Sequence, residues 1–187
     1  MDNKISKYDD SRLYAMLGNE RSEAEQAFSE LYARYSQRIY AYCLRVTGNT
    51  DDARDIFQET FLKFFDSAKT HVDIENVPGF ILTIARNICI NFKRNRRPNF
   101  TIEDFQTWTN DSEYEKKELL NLLSNALELL DTEYREAFVL RMYQGLSYKE
   151  IANVTGDSMS AIKNRVWRAK EKIKEILTPY LEDLSNY

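Results

Sequence analysis

The stretch Leu146-Ser147-Tyr148-Lys149-Glu150-Ile151-Ala152-Asn153-Val154-Thr155-Gly156-Asp157-Ser158-Met159-Ser160-Ala161-Ile162-Lys163-Asn164-Arg165-Val166 reads as two short helices joined by a tight turn. Ser147 and Glu150 have capping-box spacing, which fixes a helix start, and Ile151, Ala152 and Val154 supply its inward side. Gly156 suits the left-handed residue that ends a helix, and Ser158 suits the cap that opens the next one. Beyond it Ile162, Val166, Ala169 and Ile173 return at three- and four-residue steps and face a core. Ser160, Ala161, Lys163, Asn164, Arg165, Trp167 and Arg168 are left on the outside. The pattern predicts a helix-turn-helix. Its outer face suits duplex DNA, because polar side chains in the first turns can reach base edges in the major groove while Lys and Arg farther along neutralise phosphates. An ordinary helical hairpin with a solvated basic face is the alternative; small capped helices followed by a basic, acid-poor helix favour DNA.

Outward from this stretch, the chain agrees with a helical protein. It has 187 residues, enough for one domain or two small ones, with only five glycines and three prolines, so frequent tight turns and an all-β fold are excluded. Hydrophobic residues at 43% and charged residues at 30% suit a folded rather than a disordered chain. The longest run without a charge, residues 76–85, is far shorter than the roughly 20 apolar residues of a membrane span. The first residues lack a signal-peptide pattern, so a cytoplasmic protein with no membrane insertion is expected. Cys43 and Cys89 form no C-x-x-C pair and sit among apolar neighbours, as reduced core thiols do.

In the second half, Leu119, Leu120, Leu122, Leu123, Ala126, Leu127 and Leu130 form an apolar helical face that needs partners. A helix over 134–143 follows, with Ala137, Phe138, Leu140 and Met142 expected inside and Gly145 as the next break. In the first half, Phe28, Leu31, Tyr32, Tyr35, Ile39, Tyr42 and Cys43 mark one buried helical face, which Gly48 ends. Thr50 or Asp51 is the expected cap of the next helix, whose stripe is Ala53, Ile56, Phe57, Thr60, Phe61 and Phe64. After a polar stretch, Pro78 opens a helix through Phe80, Ile81, Ile84, Ile88 and Phe92.

The net charge of −4 hides an uneven distribution. Residues 86–97 carry Arg86, Lys93, Arg94, Arg96 and Arg97 with no acid, and Lys163, Arg165, Arg168, Lys170, Lys172 and Lys174 make a second basic run. Between them, Glu103, Asp104, Asp111, Glu113, Glu115 and Glu118 outnumber Lys116 and Lys117, and the polar composition reads as a linker. The expected architecture is all-α: a helical domain over 1–98, an acidic linker over 99–118 and a helix-turn-helix domain over 119–187.

Taken together, residues 20–178 resemble a bacterial sigma factor of the extracytoplasmic-function type, which keeps only the second and fourth sigma regions. Asp52-Ala53-Arg54-Asp55-Ile56-Phe57-Gln58-Glu59-Thr60-Phe61-Leu62-Lys63-Phe64-Phe65 is similar to the family's polymerase-binding segment. Pro78-Gly79-Phe80-Ile81-Leu82-Thr83-Ile84-Ala85-Arg86-Asn87, followed by Asn91-Phe92-Lys93-Arg94, is similar to its promoter −10 segment, and residues 130–177 are similar to its −35-binding domain. The resemblance implies that Asp52, Asp55, Gln58, Glu59 and Lys63 meet the β′ clamp helices of core RNA polymerase, with the second domain at the β flap. It implies that the loop over 69–77, with Lys69, Thr70, His71 and Asn76, joins Asn87 and Asn91 in capturing an unstacked −10 base. Arg86, Lys93 and Arg94 would hold phosphates, as single-strand recognition requires. The family usually has tryptophan where this chain has Phe80, and often aspartate where it has Asn91. His71 is the only histidine and has no metal-ligand companions, and no cofactor is implied. An anti-sigma protein is a further partner that the resemblance implies.

The function expected is that of a dissociable promoter-specificity subunit that binds core polymerase, recognises −35 duplex and opens the −10 element. A stand-alone helix-turn-helix regulator is the alternative. An enzyme finds no support, since no glycine-rich phosphate loop, metal-spaced cluster or nucleophile-histidine arrangement is present in the sequence.

Overall fold

The computed structural model describes the backbone of residues 4–70, 74–95 and 114–184, and the side chains of 5–70, 74–92 and 121–180. Among the described residues there are eight α-helices and no strand, and no helix is long and apolar enough to cross a membrane. The chain divides into two compact units, Met1–Asn99 and Phe100–Tyr187. The acidic stretch over 99–113 lies outside the described residues, and a helix begins at Tyr114, inside the span expected as a linker. Glu115, Lys116, Lys117 and Glu118, counted within that span, are all good helix formers.

The first unit holds α1 (Asp10–Met16), α2 (Arg21–Thr47), α3 (Thr50–Ser67) and α4 (Val77–Asn95), with 3-10 turns at Lys4–Lys7 and Ala68–Thr70. Gly48 ends α2 at φ 72°, a left-handed conformation that suits glycine, and its N–H reaches the Leu44 carbonyl at 2.8 Å. The cap of α3 is neither Thr50 nor Asp51 but Asn49, whose extended backbone brings Oδ1 to 2.9 Å from the Asp52 N–H. Asp51 and Asp52 then fall in the first turn, where the helix dipole favours them.

The core of this unit is aromatic. Phe28, Tyr32, Phe57, Phe61 and Phe64 lie ring to ring along α2 and α3, and Phe64 continues the chain to Tyr14 on α1 and Phe80 on α4. Leu31, Ile39 and Tyr42 from α2 and Val77, Ile81, Ala85 and Ile88 from α4 complete it. Tyr32, expected inside, is 40% exposed: it flanks the core, its ring 4.9 Å from Phe61 on one side and open on the other. Cys43 and Cys89, distant in sequence, meet between α2 and α4 as free, buried thiols. A hydrogen bond with Cys89, then burial, pushes the Cys43 thiol up.

The second unit holds α5 (Tyr114–Glu128), α6 (Thr132–Met142), α7 (Tyr148–Thr155) and α8 (Met159–Leu184). Its core is mainly aliphatic: Ala126, Leu127, Leu130, Ala169 and Ile173 gather around Phe138. The expected inside residues of α6 need one correction, since Met142 is 51% exposed whereas Val139 is fully buried. Every residue from Arg135 to Leu140 is buried, so α6 is enclosed nearly all round and Met142 falls at its open end.

Candidate nucleic-acid interface

Local chemistry builds the second unit's outer face. The Ser147 hydroxyl accepts from the Glu150 N–H at 3.2 Å and the Glu150 carboxylate accepts from the Ser147 N–H at 2.8 Å, a complete capping box at the start of α7. The Ser147 hydroxyl, and then its backbone N–H, hold the Glu150 carboxyl below its ordinary range. Gly156, at φ 75°, takes the left-handed turn that ends α7, and Ser158 Oγ accepts from the Ala161 N–H at 3.2 Å to cap α8. Ile151, Ile162, Val166 and Ala169 are buried and fix the angle of α8 on its unit.

This orientation leaves Ser160, Lys163, Asn164, Trp167 and Arg168 on one open surface, with Ala161 at its half-buried edge. Trp167 is 53% exposed and the Arg168 guanidinium lies 5.0 Å from its ring. Lys163 and Arg141 flank the Tyr148 ring at 5.9 and 4.9 Å, so the lysine stem is steered by a residue of α7. Arg165 departs from the sequence reading, which set it outward. Its side chain is 20% exposed and forked between Asp157 at 2.5 Å and Glu133 at 3.0 Å. Burial opposes its charge, but the two carboxylates outweigh burial and hold the guanidinium above its ordinary range.

On the first unit, α3 turns Asp55, Gln58, Glu59 and Lys63 to solvent at helical spacing, with Glu59 and Lys63 paired at 2.7 Å. Asp52 sits apart from them, half-buried in the first turn. Sequence reasoning passed over Leu62, which stands 67% exposed among these polar residues. A large apolar side chain left open on a charged face was the available signal.

The third face lies where α3 passes to α4. Lys69 and Thr70 are exposed at the end of the 3-10 turn, Lys69 paired with Asp66 at 2.6 Å. Asn76 caps α4, its Oδ1 accepting from the Gly79 N–H at 3.0 Å. A Cβ on residue 79 would stand 2.6 Å from Asn76 Nδ2, so a larger residue there would push the Asn76 amide from its place. One turn apart on α4, Asn87 and Asn91 are both exposed, and Arg86 is half-buried beside them. His71 and the side chains of Lys93 and Arg94 lie outside the described residues. Lys69 and Thr70 thus offer an ammonium group and a hydroxyl near the start of α4, whereas Asn87 and Asn91 lie about 15 and 21 Å farther along that helix and form a separate pair of amides.

Arg135 is a further residue that sequence reasoning missed. Buried in the second unit, it donates through Nη2 to the carbonyls of Glu128 and Leu130, tying the end of α5 to α6. Burial, opposed by Glu128, holds its guanidinium below its ordinary range. Nothing in the sequence distinguishes it from a surface arginine.

Comparison with known proteins gives consistent matches on both units. The family model for sigma-70 region 2 matches residues 31–98, and that for sigma-70 region 4 matches residues 120–173. The chain is 31% identical over 155 residues to the ferric citrate uptake sigma factor FecI of Escherichia coli, across 79% of this chain and 89% of FecI. It is 28% identical over 165 residues to the ECF RNA polymerase sigma factor SigE of Mycolicibacterium smegmatis, across 84% of this chain and 64% of that protein. Its fold is similar to that of the sigma factor RpoE in complex with the anti-sigma factor NepR from Bartonella quintana, with a TM-score of 0.67 at 23% identity, across 81% of this chain and 96% of that one.

Proposed function

The chain belongs to the extracytoplasmic-function sigma factors of RNA polymerase and directs transcription initiation, and from that premise we propose how its surfaces divide the work. The alternative of a stand-alone regulator falls away, since the first unit matches sigma region 2 as the second matches region 4. α8 enters the major groove of the −35 duplex, with Ser160, Asn164 and Trp167 toward base edges and Lys163 and Arg168 toward phosphates. Arg165, held by Asp157 and Glu133, arrives with its guanidinium already oriented. The first unit takes an unstacked base of the −10 element at Lys69 and Thr70 and the strand next to it along Asn87 and Asn91, while Asn76 shapes the start of that surface as the cap of α4. Asp55, Gln58, Glu59 and Lys63, with Leu62 as the apolar anchor, meet the β′ clamp helices of core polymerase, and the second unit meets the β flap.

The observation that carries this reading is the capped helix-turn-helix whose second helix presents Lys163, Asn164, Trp167 and Arg168 on one open face. The chain's work is binding, without covalent chemistry or cofactor, in the cytoplasm beside the polymerase. A partner that masks these faces fits the same surfaces, and we assign that role to an anti-sigma protein. Run-off transcription with purified chain, core polymerase and a promoter library tests the reading. Initiation from a shared −35/−10 pattern is expected, weakened about equally across −35 sequences in Lys163→Ala. Tight duplex binding without polymerase, and no initiation with it, would overturn it.

A further inference from the structure

Two side chains one helical turn apart on α1 reach the two ends of the connection between α3 and α4. The Tyr14 hydroxyl lies 2.9 Å from Ser67 Oγ. The Ser67 proton is already committed to the Phe64 carbonyl at 2.6 Å, so Tyr14 is the donor. Three residues earlier, Ser11 Oγ donates to the Glu75 carbonyl at 3.3 Å. Positions i and i+3 share a helix face, so a single turn of α1 touches the chain both where it leaves α3 and where it approaches α4. The buried Tyr14 ring stands 5.4 Å from Phe64 and edge-on to Phe80 at 6.1 Å, closing α3 against α4. α1 is itself anchored to α2 at its first residue, since Asp10 accepts from Arg34 Nη1 at 2.7 Å and from the Tyr35 hydroxyl.

We propose that α1 is a positioning element for −10 recognition, with Ser11 and Tyr14 setting the separation of the two rims that carry Thr70 and Asn76. The inference rests on the −10 reading given above and adds to it a helix that precedes the residues matched by the region 2 family model. Neither side chain contacts the base. Tyr14 acts through Ser67, whose carbonyl in turn accepts from the Thr70 hydroxyl at 2.6 Å, so the restraint passes to Thr70 in two hydrogen bonds. Ser11 acts through the Glu75 backbone, one residue before the Asn76 cap. The coupling is contiguous, and each link is a group with a named partner.

The test uses the full chain assembled with core polymerase and a set of single-stranded −10 oligonucleotides that vary the captured base. Tyr14→Phe keeps the ring and removes only the hydroxyl. We expect it to weaken binding of the preferred oligonucleotide by about threefold to tenfold, the range that one hydrogen bond commands. Oligonucleotides with the other bases should lose less, so base discrimination narrows, while core affinity stays at the parent value and the melting temperature falls by no more than the loss of one hydrogen bond accounts for. Ser67→Ala should produce the same narrowing, and the double variant no more than either alone, because the two groups form one link. Asn87→Ala serves as the control for the −10 reading itself. If Asn87→Ala weakens oligonucleotide binding and Tyr14→Phe leaves it unchanged, the positioning role is overturned and the −10 reading stands. If neither variant changes binding, both are overturned. Equal weakening for all four bases with a lowered melting temperature would also overturn the positioning role, because a loosened fold explains it.

Discussion

The two units put together the faces proposed for nucleic acid in different ways. In the second, the face lies along one helix, and the devices that aim it fall within twelve consecutive residues: the Ser147–Glu150 box, the Gly156 turn and the Ser158 cap. In the first, the proposed face runs from the end of α3 past the cap of α4 and on along α4, and Tyr14 and Ser11 reach its near end from α1. The cores differ in the same sense. Rings from α1, α2, α3 and α4 lock the first unit through contacts distant in sequence, whereas small and aliphatic side chains around Phe138 let α8 lie close on the second. A rigid single-helix reader suits a regular duplex groove; a gathered surface suits a base that has left its stack.

The most forceful way to break the comparison is to cut the aromatic chain. Phe64→Ala removes a fully buried ring shared by three helices and should destabilise the first unit by about 3–5 kcal/mol. Calorimetry should show the first unit's transition lowered or lost while the second unit's stays; equal loss in both would mean that the cores do not act separately. On the polymerase face, Gln58→Ala with Leu62→Ala removes exposed side chains only, so the fold should persist while core affinity falls about tenfold, as when an interface anchor is truncated. Titration with labelled core polymerase measures it, and unchanged affinity would take α3 out of the interface.

A smaller effect sharpens the local character of the second unit. Ser147→Ala removes the cap of α7 and should cost about 1 kcal/mol, read as a lower urea midpoint for that unit alone. Lys163→Ala should lower the dependence of −35 binding on salt by about one unit of slope without changing which sequence is preferred. Smallest of all is a pH effect in the first unit. Burial, followed by the Asp10 hydrogen bond, pushes the Tyr35 hydroxyl up to about 12 from 10.0. Its contribution is therefore complete below pH 10 and disappears as pH rises through 12, when the phenol ionises in the folded protein as well. The stability difference between the parent and Tyr35→Phe should shrink over that interval, as followed by denaturant unfolding.

Legibility from the sequence follows the same division. The helix-turn-helix could be read because capping, left-handed glycine and apolar spacing are local rules, and the structure shows Ser147, Gly156, Ser158 and the buried face of Ile162, Val166, Ala169 and Ile173 at the expected places. Asn49, Thr50 and Asp51 are three successive capping residues, and only the backbone conformation selects the first. α6 has no single apolar face, so periodicity could not sort Val139 from Met142. Arg165 sits at a position that spacing leaves outward, yet carboxylates from a turn and from another helix draw it in. The link from Tyr14 to Ser67 spans residues far apart in the chain and obeys no periodicity at all.

The meeting of Cys43 and Cys89 also has a practical side. Both sulfurs are sealed between α2 and α4, and the first of them resists the ionisation on which alkylation depends. The chain has no other cysteine, so a reporter dye offered to a variant with one new surface cysteine, for instance in place of Asp51, should attach there alone. Fluorescence distances between chosen points can then be followed during promoter opening with the native sulfurs left in place.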